Sequence, residues 1–212
     1  MQVPLTNFNP FSFPKELVKE YFFSQLPLDF CENVTDDSDI VTEDIGLSAP
    51  TLYTANLPLI LEWLLNLDNP HILEQTPCFT PLLLYDKCFS TDSLLFHYEG
   101  NPESAKLIRD FVYLFGGIIK GSCATIISPS FIPKSKIKEE QELIELVRDC
   151  TAETSFIKFN FNRIGDFWSY AVKHQCTLLV TTKKYQADLA KVFFHFYKGK
   201  NWCEKLSFYL AA

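Results

Sequence analysis

The side chains able to do chemistry in this chain are its four histidines, seven cysteines and a few closely spaced charges. Nucleophilic catalysis needs a serine or cysteine beside a base, with a carboxylate to orient that base. No Gly-x-Ser-x-Gly elbow and no His-Glu-x-x-His pair occurs. His97 directly follows the apolar run Leu94, Leu95, Phe96, which makes it the one histidine near an expected cleft; a core or rim histidine satisfied by backbone is the competing reading. His174 and Cys176 are close in sequence, but one ends a helical pattern and the other opens a strand. His71 follows Asn69 and Pro70 in a turn, and His195 lies among Phe193, Phe194 and Phe196. Arg163 and Asp166 are explained by a surface cation and a helix cap. No catalytic residue is assigned, and the protein is expected not to be an enzyme.

The cysteines (Cys31, Cys78, Cys88, Cys123, Cys150, Cys176 and Cys203) are scattered, with no Cys-x-x-Cys pair. Such a set reads as reduced core thiols of a cytoplasmic protein, without metal-ligand spacing. The acidic run from Glu32 to Asp44 lacks the alternating oxygen ligands and glycine turn of a calcium loop and reads as solvated.

The elements that must position these groups are clearest between residues 93 and 117. Leu94, Leu95 and Phe96 form a buried strand, and Glu99, Gly100, Asn101 and Pro102 carry turn chemistry. Ala105, Ile108, Phe111, Val112 and Phe115 then recur at helical spacing, closed by Gly116 and Gly117. Strands are expected again over residues 122–128, 156–161 and 177–182, alternating with helices over 136–150, 166–175 and 191–197. The order argues an α/β fold, a mostly parallel open sheet with helices on both faces, in which ligands sit at the carboxyl ends of the strands. Earlier in the chain, residues 14–23 and 57–66 read as helices and 79–85 as a short buried strand. Residues 204–212 read as helical or nearly so, although the alternation of Leu206, Phe208 and Leu210 leaves a strand open.

With 212 residues, 47% of them hydrophobic and 21% charged, the chain can bury a substantial core. A formal net charge of −7 argues against nucleic acid as a partner. The longest apolar stretch, residues 57–67, contains Glu62 and is too short to span a bilayer, so no membrane partner is expected. The first charge is Lys15, and Pro4, Pro10 and Pro14 interrupt any secretory signal.

From residue 79 onward the pattern resembles the universal stress protein family, an adenine nucleotide alpha hydrolase-like, Rossmann-like group. Residues 96–105 sit where that family has a strand, an Asp-Gly-Ser-type turn and a helix, with Glu99 at the usual aspartate. Residues 177–182 match the family's fourth strand. The resemblance divides the chain into residues 1–90, a shortened or degenerate first repeat or cap, and 91–212, the α/β domain. It implies a nucleotide or ligand site at Tyr98, Glu99, Gly100, Asn101, Thr181, Thr182 and Lys183, a homodimer and a role in stress response.

The departures from the family bear on function. Its ATP-binding members place a glycine-rich loop after the fourth strand, so that backbone amides can approach phosphate. Residues 181–190 contain no glycine, and Asp188 adds an unfavourable charge. Lys183 and Lys184 could attract phosphate, but they read more simply as a solvated pair. ATP is therefore disfavoured and no cofactor is expected. The expected function is a non-catalytic regulatory or protein-interaction module, self-association included. A nucleotide or small ligand in an altered pocket at the strand ends is the alternative. Family domains also end in a fifth strand; a helical C-terminus here would leave a sheet edge open.

Overall fold

The computed structural model describes residues 9–35, 49–69, 71–161, 163–198 and 205–211. Among these the chain builds one eight-stranded sheet, ordered β1-β2-β3-β8-β7-β4-β5-β6. The strands are β1 (Val18–Tyr21), β2 (Leu52–Asn56), β3 (Leu82–Tyr85), β4 (Ser93–His97), β5 (Cys123–Ser128), β6 (Glu153–Lys158), β7 (Leu178–Thr182) and β8 (Ser207–Ala211). Strands β6, β5, β4, β7 and β8 run parallel, whereas β3 meets β8 antiparallel and β1 meets β2 antiparallel. This is an α/β, Rossmann-like open sheet, as the element order predicts.

The helices are α1 (Phe30–Asn33), α2 (Leu57–Leu65), α3 (Pro102–Phe115), α4 (Ile137–Cys150), α5 (Ile164–Lys173) and α6 (Gln186–Lys198). They cover both faces because successive strand residues point to opposite sides. Leu94 and Phe96 pack with Phe30, Phe111, Phe115 and Val147 under α1, α3 and α4. Leu95 packs with Ile60, Phe167, Trp168 and Phe193 under α2, α5 and α6. Among the described residues no helix is long and apolar enough to cross a membrane.

Several expectations are corrected. Residues 14–23 do not form a helix: Lys15–Leu17 make one 3-10 turn and β1 follows. Val18 pairs with Ala55 of β2, and Tyr21 and Phe23 are both buried, the two-residue period of a strand. The C-terminal segment is the strand β8 and not a helix, and it lies in the interior of the sheet between β7 and β3. Every residue of β8 is buried, with Phe208 and Leu210 in one core and Tyr209 and Ala211 in the other. No edge is open there, because the first 90 residues add β3, β2 and β1 beyond it. The core-thiol expectation holds for Cys176; Cys31, Cys78 and Cys150 are half-buried, and Cys88 and Cys123 are exposed. Helix α5 starts at Ile164, so Asp166 lies inside its first turn, accepting a hydrogen bond from the Arg163 amide at 3.1 Å. Cys203, Trp202, Gly199 and most of the acidic run from Glu32 to Asp44 lie outside the described residues.

Candidate functional site

The sheet order reverses at β4 and β7: β5 and β6 lie to one side of β4, β7 and β8 to the other. In open α/β sheets the ligand crevice forms at such a switch point, outside the carboxyl ends of the strands. The loop after β4 turns sharply at Gly100, whose φ of +74° lies in the left-handed region. A Cβ there would come within 2.9 Å of Ile132 Cγ2, so both backbone and packing favour glycine. Asn101 then caps α3, its Oδ1 accepting from the Ser104 amide at 2.8 Å, with Pro102 in the first helical turn. The loop after β7 winds into one 3-10 turn, Lys183–Tyr185, that leads into α6.

These loops set Glu99 at the switch point, beyond the carboxyl ends of β4 and β7. The Tyr185 hydroxyl donates to its Oε1 at 2.6 Å, and Lys184 pairs with the same oxygen. Thr182 and Asn101 donate to its Oε2, each at 3.4 Å. Burial works to raise the Glu99 carboxyl, but the hydrogen bonds from Lys184 and Tyr185 outweigh it, and the group is held below the usual carboxylate range. The Tyr185 hydroxyl moves the other way, raised by burial and by donating to Glu99.

One step deeper, His97 is buried against Phe167, ring centroids 3.8 Å apart, and lies 5.0 Å from the Tyr185 ring. Its Nδ1 shares a hydrogen bond with Thr181 Oγ1 at 3.0 Å. Burial lowers its pKa to about 4, with Glu99 opposing and Lys184 reinforcing the shift, so the imidazole is neutral at pH 7. His97 therefore has a hydroxyl partner, but Thr181 is fully buried, out of reach of a substrate.

Of the residues expected at this site, Glu99, Asn101 and Thr182 converge, and Thr181 lies beneath them against His97. Tyr98 does not join them; it is buried on the opposite face of the sheet, in the core under α3 and α4. Lys183 is buried, contrary to the solvated reading. It pairs with Glu74 at 2.5 Å and donates to the carbonyls of Cys78 and Thr80 at 2.5 and 2.7 Å. Lys184, by contrast, is exposed. The partners that sequence reasoning missed are Tyr185 and Glu74, and Lys184, named there with Lys183 as a cation for phosphate, pairs instead with Glu99. Nothing in the local spacing points to them, since Tyr185 reaches Glu99 across 86 residues. His174 is exposed and Cys176 buried, so they do not face one another.

A second polar cluster closes the ends of β5 and β6. Ser128 donates to Glu140, and Lys158 donates to Glu140 at 2.5 Å and to Ser128 at 3.2 Å. A serine beside a lysine suggests a nucleophile, but Lys158 is engaged in its ion pair with Glu140 and Ser128 is fully buried. The cluster ties α4 to the strand ends.

Comparison with protein-family models, curated proteins and solved structures finds no match.

Proposed function

We propose that this protein is a non-catalytic interaction module, regulatory in role, that works by protein contact at the carboxyl rim of its sheet and associates with a second copy there. The observation that supports the reading is the occupation of the switch-point crevice by the chain itself. Glu99 takes Lys184, Tyr185, Thr182 and Asn101 as its partners, and Lys183 is committed to Glu74 and two carbonyls. A phosphate would have to displace a carboxylate that already satisfies the nearby cation, at a loop with no glycine to admit backbone amides. The degenerate nucleotide site and the contact function fit together: a crevice filled from within leaves the rim around it for other surfaces.

Exposed aromatic rings flank the filled crevice. Phe131 follows β5 and is 90% exposed, and Phe159 follows β6 and is 52% exposed. Phe79, also 90% exposed, precedes β3; because β3 opposes β8, it lies at the same end of the sheet. Rings bared at one rim are the composition of a contact surface. Sedimentation velocity across a wide concentration range tests the reading. The wild-type chain is expected to associate reversibly, and Phe79→Ser with Phe131→Ser to shift it at least tenfold toward monomer. A wild-type chain that stays monomeric throughout, or association unaffected by both changes, would overturn it.

A further inference from the structure

On one side the sheet ends at β6, which among the described residues pairs only with β5. The amides of Glu153 and Phe159 donate to the carbonyls of Ser122 and Ser128, at 3.4 and 2.8 Å. Backbone groups alternate in direction along a strand. Those of Ser155 and Ile157 therefore also face β5, and those of Thr154, Phe156 and Lys158 face outward.

A row of unpaired amides and carbonyls is a template for another strand, and folded proteins blunt such an edge with charge, proline or a short strand. The opposite edge, β1, is four residues long and carries Lys19 and Glu20. Strand β6 is six residues long, reads Glu-Thr-Ser-Phe-Ile-Lys and contains no proline. Its one lysine does not guard the edge. Lys158 turns back over the sheet, donating to Ser128 of β5 at 3.2 Å and pairing with Glu140 of α4.

We infer that the β6 edge is a two-fold seam, along which a second copy of this chain adds its own β6 antiparallel and continues the sheet. The strand fits itself. Pairing about Phe156 sets Phe156 against its equivalent, and Thr154 against Lys158 of the other copy. That register joins the outward amides and carbonyls of the strand, keeps paired side chains on one face and puts no like charges opposite each other. Helix α4, tied to β6 through Glu140, is complementary in the same sense. Its exposed charges begin basic, with Lys134 and Lys138, and end mainly acidic, with Glu145 and Asp149 around Arg148. Glu142, in the middle, meets Lys138 at 3.7 Å. A two-fold axis lays the basic start of one α4 toward the acidic end of the other. The seam goes beyond the rim contact, since it is made by the main chain of β6 and uses neither Phe79 nor Phe131.

Amide hydrogen exchange of the full chain, followed by NMR at low and high protein concentration, reads the seam directly. In dilute solution Thr154, Phe156 and Lys158 are expected to exchange freely, and Ser155 and Ile157 to be protected. As concentration rises, exchange at the first three is expected to slow at least tenfold. The rim variant, Phe79→Ser with Phe131→Ser, is expected to keep that slowing, so the two contacts are told apart. Thr154→Pro removes an outward donor without removing a bond to β5, and is expected to abolish the slowing at Phe156 and Lys158. Exchange at these residues that is independent of concentration, slowing that is lost in the rim variant, or slowing that survives in Thr154→Pro would each overturn the seam.

Discussion

His97 carries a pH signature that follows from its burial. Its pKa falls from an ordinary 6.5 to about 4 in the folded chain, so below pH 6.5 the unfolded state takes up a proton that the folded state refuses. Stability contributed by the neutral ring is complete above that value and is lost as pH falls toward 4. The Wyman relation then gives a loss of about 2 kcal/mol between pH 7 and pH 5 from this residue. Glu99, held below its usual value, acts at lower pH: its contribution is present above the unfolded carboxylate pKa and disappears as pH falls through the folded one. Urea denaturation at pH 7 and pH 5 isolates the histidine. His97→Gln is expected to flatten the difference by about 2 kcal/mol, whatever its effect at pH 7; an undiminished difference would mean that His97 titrates normally. At this scale the sequence was only partly legible. The turn type of Glu99 to Pro102 is local chemistry and is read from four adjacent residues. The hydrogen bonds that define the role of Glu99 come from a loop 86 residues away, and side-chain pairing across that distance leaves no periodic trace.

Elements were legible where hydrophobic period and turn chemistry agreed. Asn101, Pro102 and the apolar spacing from Ala105 to Phe115 specify α3, and the structure places it at Pro102–Phe115. Two elements were misread for a shared reason. Residues 14–23 and 204–212 are short apolar and aromatic stretches, whose conformation is settled by the strand they pair with more than by propensity. Strand β1 forms because β2 lies beside it, and β8 because β7 and β3 each leave an edge that it fills. The central position of β8 makes it a stringent site for mutation. Phe208 stacks on Trp168 with ring centroids 5.5 Å apart and meets Phe193 edge-on at 4.9 Å. Phe208→Ala is expected to cost about 3–5 kcal/mol in chemical denaturation, the range for a large aromatic removed from a close-packed core. A loss near that of an exposed site, about 0.5 kcal/mol, would contradict a buried central β8.

On the scale of the molecule, one sheet with two apolar faces accounts for the whole described chain. Its parallel half was legible because strands and helices alternate in sequence. The continuation through β3, β2 and β1 was legible only in α2 and the buried strand over 79–85, because the antiparallel junctions of β1 with β2 and of β3 with β8 join strands of four or five residues without a crossover helix to announce them. The same geometry that extends the sheet carries Phe79 to the rim beside the Glu99 crevice and anchors Lys183 in the loop before β3. The function argued from this arrangement rests on that crevice being filled by the chain's own side chains. Calorimetric titration with ATP and magnesium, after a denatured sample has been checked for co-purified nucleotide, tests it most directly. The account predicts no released nucleotide and no saturable heat. Saturable binding that weakens in Glu99→Ala and in Lys184→Ala would contradict it, and would make the crevice a working nucleotide site.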